Sequence, residues 1–205
     1  MNTDYAPDLQ ACAAAFEKKG YDVRVFENVA AANAYFEGEI KNSTVGIGGS
    51  VTVRDMGLAE VLDKTNQVFW HWRAPAGDKD VILKAKLAEN YILSANAITE
   101  KGEIVNIDAN GNRVSASCHG AKNIYFVCGI NKISPNLEAA IFRAKNIAAP
   151  LNSKRLNRKT PCAVKGDKCY NCASPERICR VTSIMTYPVT SAKNHLILIS
   201  QKLGY

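Results

Sequence analysis

Residues 43–62 read STVGIGGSVTVRDMGLAEVL, and they set the architecture of the chain. A strand through Val45 and Ile47 runs into Gly48-Gly49-Ser50, after which Met56, Leu58, Val61 and Leu62 suit the buried side of a short helix. A strand that feeds a helix through glycines is the repeating unit of an α/β protein. Paired glycines let a backbone approach a ligand closely, and Ser50 or Thr52 offers a hydroxyl beside free amides at the helix start. A phosphate, carboxylate or sugar oxygen fits there; so does an ordinary tight turn.

The same order appears upstream. Residues 4–19 have Leu9, Cys12 and Phe16 near helical spacing with Gly20 as a stop, which makes Cys12 a core residue. YDVRVFE (21–27) alternates as a strand, and Asn28 can cap the alanine-rich helix after it. Downstream, QVFWHW (67–72) reads as a strand, followed by a loop at 74–77 and a helix over 78–89. His71 lies between Trp70 and Trp72 with no local carboxylate or nucleophile, so packing or hydrogen bonding accounts for it better than catalysis.

YILSANAITEKGEIVNIDANGNRVS (91–115) begins as a buried strand at Ile92 and Leu93, turns at Glu100-Lys101-Gly102 and returns through EIVNID. Its short polar side chains, Asn96, Asn106, Asp108 and Arg113 among them, fall near strand ends, where ligands of open α/β sheets collect. Asx turns explain Asn110 and Asn112 beside Gly111 equally well. NIYFVCG (123–129) is a central strand with Cys128 buried and inert, and Cys118 and His119 are chain neighbours without being a catalytic pair. Ser134 and Pro135 open a helix of some fourteen residues, Pro150 marks a break, and LNSKRLNRK (151–159) makes a last basic turn. RVTSIMTYP (180–188) and HLILISQ (195–201) close the chain as strands, expected to pair with each other.

Between them lies PCAVKGDKCYNCASPERICR (161–180), whose Cys162, Cys169, Cys172 and Cys179 are spaced by six, two and six residues. Two cysteines separated by two residues bend around one metal centre, and flanking thiolates close a four-sulfur set, as in zinc or iron–sulfur sites. Disulfides are the competing reading. MNTDYAPDLQ is not a cleavable signal and no apolar run is long enough to span a bilayer, so the expectation is a reducing cytoplasm and no membrane insertion. The net charge of +7 is local: residues 154–180 hold eight basic against two acidic side chains, +6, and the rest of the chain contributes +1. Cations gathered around thiolates offset the negative charge of a metal–sulfur complex. A solvated basic loop is the plainer explanation, and nucleic-acid binding is disfavoured because no interleaved aromatics or binding module accompany the charge.

GIGGSVTVRDMGL (46–58), ILSANAITEKGEIVNIDANGNRVS (92–115) and NIAAPLNSKRLNRKTPCAVKG (146–166) with the cysteines that follow together resemble the LUD domain, the lactate-utilisation family that includes the small LutC-type subunit. The resemblance spans nearly the whole chain, 1–205, as a single domain with residues 154–180 as a basic four-cysteine insertion. It implies a fold of the NagB, ribose-5-phosphate isomerase and CoA-transferase type: a parallel-rich sheet flanked by helices, with a smaller β appendage. It also implies a link to oxidation of lactate to pyruvate alongside iron–sulfur partner proteins. SANAITEKGEIVN (94–106) is similar to a segment of the sugar-phosphate isomerases, with Asn96 where those enzymes place an aspartate. Asparagine is no general base, and no glutamate presents itself as an acyl acceptor for CoA transfer.

The expectation is therefore an accessory or electron-transfer protein of organic-acid metabolism. Its iron–sulfur cluster would be held by Cys162, Cys169, Cys172 and Cys179, with structural zinc as the alternative. Gly48, Gly49, Ser50, Asn96, Asn106, Asp108 and Arg113 would form a cleft for a small anionic substrate. A zinc-bearing scaffold protein and a metal-independent cleft enzyme are the other two readings, and a homo-oligomer is compatible with each.

Overall fold

The computed structural model describes residues 5–78 and 80–205. Residues 1–4, in the MNTDYAPDLQ stretch and at the start of the expected 4–19 helix, and Lys79, within the expected 78–89 helix, lie outside the described residues. The chain begins α1 (Leu9–Lys18), β1 (Asp22–Phe26), α2 (Val29–Glu39), β2 (Thr44–Ile47), α3 (Val51–Asp55), α4 (Leu58–Leu62) and β3 (Gln67–Trp70). It continues through α5 (Val81–Lys86), β4 (Asn90–Leu93), β5 (Ala97–Thr99), β6 (Ile104–Asp108), α6 (Asn112–Cys118) and β7 (Asn123–Gly129). A short 3-10 turn (Ile130–Lys132), β8 (Ile133–Ser134), α7 (Leu137–Arg143), a π-turn (Ala144–Ala148), α8 (Ala149–Arg155), α9 (Pro161–Lys165), β9 (Val181–Met185) and β10 (Lys193–Ile199) complete it.

Six strands form a parallel sheet in the order β1-β10-β7-β4-β2-β3. Strand alternation divides its side chains between two helical layers. Leu196 and Leu198 of β10 and Ile124 and Phe126 of β7 pack with Phe16 of α1 and Ala116 of α6. Their neighbours Ile197, Ile199, Tyr125 and Val127 pack on the other face with Phe36 of α2 and Leu58 and Leu62 of α4. The caps follow from local chemistry: Asn28 Oδ1 accepts from the Ala31 amide at the start of α2, and Gly20, at φ 96, ends the turn after α1. A second, mixed sheet, β8-β5-β6-β9, covers its own core of Ala97, Val105 and Ile107 with Ala140 and Ala144.

Three expectations change. The last two strands do not pair with each other: β10 lies inside the parallel sheet between β1 and β7, while β9 pairs antiparallel with β6. The reason is burial, since HLILI is apolar on both faces and suits a central strand, whereas the largely exposed VTSIM suits the edge of a small sheet. The helix expected from Ser134 is capped instead by Asn136, whose Oδ1 accepts from the Ala139 amide, because Ser134 is held in β8. Nor does Pro150 break it. The wide π-turn precedes the proline, whose ring has no amide to donate, and the helix runs on through Arg155.

Candidate functional site

The C-terminal ends of four neighbouring strands meet at one cavity of about 60 Å³: Gly49 and Ser50 after β2, Trp72 after β3, Ser94 and Asn96 after β4, and Lys132 after β7. Parallel strands point their carboxyl ends the same way, so loops that start there converge. Arg113, Asn152 of α8 and Tyr205 complete the wall.

The glycine pair divides in role. A Cβ on Gly48 would sit 2.8 Å from the Tyr91 hydroxyl and 3.1 Å from Arg113 Cγ, whereas one on Gly49 would make ordinary contacts with His71 and Trp72. Gly48 thus leaves room for Arg113 to reach the cavity without lining it. Ser50 is the N-cap of α3, its Oγ accepting from the Val53 amide at 3.2 Å, and Thr52 Oγ1 donates to the Leu203 carbonyl at 3.4 Å.

Asn96 and Asn106 clamp the backbone reciprocally. The Asn96 amide donates to Asn106 Oδ1 at 3.2 Å, and the Ile107 amide donates to Asn96 Oδ1 at 2.8 Å. Asp108 sits behind the wall and accepts from the amides of Asn110, Gly111, Arg113 and Val114 at 2.9 to 3.2 Å, which organises the turn into α6. Arg113 is held by the Ile107 carbonyl, by Asn96 Oδ1 at 3.4 Å and by Asp108, whose Oδ2 is 3.9 Å from Nε. Of the seven residues proposed from sequence, the cavity is lined by Gly49, Ser50, Asn96 and Arg113; Gly48, Asn106 and Asp108 support it from behind.

Lys132 was missed. It is 4% exposed, and its Nζ donates to the Ala95 carbonyl at 3.0 Å. Among the described residues it forms no ion pair. Burial lowers its pKa from 10.5 to about 7, Cys128 opposes that shift, and the Arg143 and Arg113 guanidinium groups add to it. Arg143, itself buried, donates to the carbonyls of Asn131 and Asn96 and to the Tyr205 backbone oxygen. The available sequence signal was position: a lysine three residues past an all-apolar central strand. At the rim, Arg155 stacks 4.7 Å from the Trp72 ring centre, and burial together with Arg155 holds His71 below the usual imidazole range.

The cysteines meet elsewhere. Cys162 on α9, Cys169 and Cys172 on the following loop and Cys179 just before β9 line one small cavity of about 20 Å³, together with Lys145 and Arg177. All four are free thiols, as are Cys12, Cys118 and Cys128, so the disulfide reading finds no pair. Among the described residues no group of three or more His, Cys, Asp or Glu side chains is gathered to metal-binding distance. The donors around the sulfurs nevertheless suit thiolates: the Asn171 amide points to Cys169 Sγ at 3.4 Å, Arg177 to Cys179 Sγ at 3.4 Å, and the Thr160 hydroxyl lies 3.3 Å from Cys162 Sγ. Arg177 is pushed up by its bond to Cys179 and by the proximity of Cys179, Cys172 and Cys169. The other basic residues of the insertion are engaged differently, with Lys165 and Lys168 over the Tyr170 ring and Arg180 on the Pro175 and Arg177 carbonyls. Asn146, in the π-turn, accepts from the Cys169 amide at 3.1 Å and fastens the loop to the helix.

The model of the LUD domain matches residues 9–199 of this chain. The protein belongs to the LUD domain family. A crystal structure of a DUF162 family protein from Deinococcus radiodurans superposes with a TM-score of 0.54, over 93% of this chain and 94% of that one, at 9% identity. At that identity the likeness is one of fold. The comparison with curated proteins gave no significant match. For this LUD domain no helix is long and apolar enough to cross a membrane among the described residues.

Proposed function

We propose that this LUD-domain protein is an accessory or electron-transfer component of organic-acid metabolism, with lactate utilisation as its setting. It binds a small carboxylate at the strand-end cavity and carries an iron–sulfur cluster on Cys162, Cys169, Cys172 and Cys179. The observation that carries the cavity reading is its charge: Lys132 and Arg113 line it with Arg143 close behind, and of the nearby acids Asp108 is spent on Arg113 and four amides and Asp55 on Arg54. Buried cations in excess of acids favour an anionic guest.

The four-sulfur donor set, with amide and guanidinium hydrogens directed at its sulfurs, supports the cluster reading. Such a cluster, when bound, supplies one-electron transfer, and the partners it implies are other iron–sulfur proteins. Helix α8 joins the two regions, presenting Asn152 to the strand-end cavity and Ala149 and Ser153 to the cysteines.

Protein purified without oxygen should be brown, with visible absorption bleached by dithionite, and should bind pyruvate or lactate with a change in Trp72 fluorescence. Colourless protein with one zinc ion per chain would replace the redox reading with a structural metal. Absence of carboxylate binding would remove the cavity reading.

A further inference from the structure

The cavity holds a feature that simple anion binding does not require. Lys132 places a primary amine at the end of the central strand β7, nearly excluded from solvent, with the Ala95 carbonyl as the one partner of its Nζ among the described residues. Neighbouring Cys128 is fully buried and its thiol is pushed up, so it offers no thiolate as a counter-ion. Ser94 Oγ also donates to the Ala95 carbonyl, at 3.4 Å, which sets a hydroxyl beside the amine on a shared acceptor. The same cavity is lined by Arg113, whose guanidinium is a group suited to a carboxylate. Space is limited: about 60 Å³ holds roughly four to six water-sized groups at 10–15 Å³ each, the size of a three-carbon oxo acid.

We propose that Lys132 captures the ketone carbon of a small 2-oxo carboxylate as a reversible imine, with Arg113 holding the carboxylate and Ser94 passing protons. The proposal rests on the cavity being a carboxylate site. In the first step the Nζ lone pair forms a bond to the carbonyl carbon, and the oxygen takes a proton to become a hydroxyl. The hydroxyl then leaves as water, with the second proton coming from nitrogen, so amine and ketone become imine and water and no oxidant or reductant takes part. Attack requires a neutral amine, and burial among Arg113 and Arg143 makes that form accessible near neutral pH.

The full chain is incubated with pyruvate and treated with borohydride, which turns the imine into a stable N-(1-carboxyethyl) amine, and the adduct is located by peptide mapping. A single adduct on Lys132, suppressed by excess lactate, is expected. Lys132→Arg should lose the adduct while its far-UV circular dichroism and urea midpoint show that it folds. Should that variant fail to fold, the wild-type map decides alone. Pyruvate binding without an adduct on Lys132 overturns the imine and leaves the carboxylate site standing. Neither binding nor adduct overturns both, and adducts scattered over surface lysines with Lys132 unmodified overturn the proposal.

Discussion

Replacing Lys132 by methionine should stabilise the protein near pH 6 and cease to do so near pH 10. Burial moves the ammonium from 10.5 to about 7 in the folded state, and Arg143, Arg113, Cys128 and Asp55 are the charged or titratable groups that act on it. A lowered lysine pKa means that the unfolded chain binds the proton more tightly, so the folded state gains stability as pH rises between the two values. At roughly 1.4 kcal/mol per pH unit, the penalty is about 5 kcal/mol at pH 6 and shrinks to about 1 kcal/mol at pH 10. Methionine fills a similar volume and carries no charge, but it leaves the Ala95 carbonyl without its donor, a loss of about 1–3 kcal/mol. The net expectation is a gain of about 2–4 kcal/mol at pH 6, and a neutral or negative change of up to about 2 kcal/mol at pH 10.

Urea unfolding of both proteins at the two pH values measures this directly, since every other titrating group is common to them and cancels. The reasoning fails if the variant is destabilised by the same amount at both pH values, because the Lys132 ammonium would then carry no burial penalty. A side chain that weakens the fold at working pH fits a residue kept for what it does to a ligand.

Three further outcomes follow from the geometry. Gly46→Ala should lower stability by about 1–3 kcal/mol or more, because its Cβ would lie 1.9 Å from the Ala85 carbonyl oxygen and α5 must lift off β2; an unchanged urea midpoint would refute that packing. Gly48→Ala meets only side-chain atoms, so the fold should survive while the displaced Arg113 weakens pyruvate binding about tenfold, a loss of roughly 1.4 kcal/mol, measured by titration calorimetry. Asp108→Ala strips four amides of their acceptor and should cost about 2–4 kcal/mol, with earlier hydrogen exchange at Gly111 through Val114 than in the parent protein.

Much of the parallel sheet was legible because its strands are buried on both faces and read as unbroken apolar runs, NIYFVCG and HLILIS above all. Their order was not. The alternation that marks VTSIM as a strand says nothing of whether β6 or β10 lies beside it, and that pairing is decided by burial across the whole molecule. Asn28 was readable as a cap because the bond spans three residues; Asn136 was overlooked because Ser134 and Pro135, better-known helix openers, precede it.

The site shows where residue type stops being informative. Asn96, Asn106, Asp108 and Arg113 were picked out as polar groups near strand ends, and the structure does bring them to one corner of the sheet. There Asp108 spends its carboxylate on four backbone amides, and Asn96 and Asn106 each spend Oδ1 on one, which leaves Asn106 Nδ2 buried without a partner among the described residues. Lys132 has the opposite standing, since an apolar strand followed by a lysine reads as a charge leaving the core, yet the 3-10 turn folds it back in. What separates support from candidate chemistry is hydrogen-bonding capacity and charge left unspent after folding, a quantity that depends on contacts distant in sequence. By that measure the amine of Lys132, held by the Ala95 carbonyl and outside any ion pair among the described residues, keeps donor capacity and charge to offer a ligand in this LUD domain.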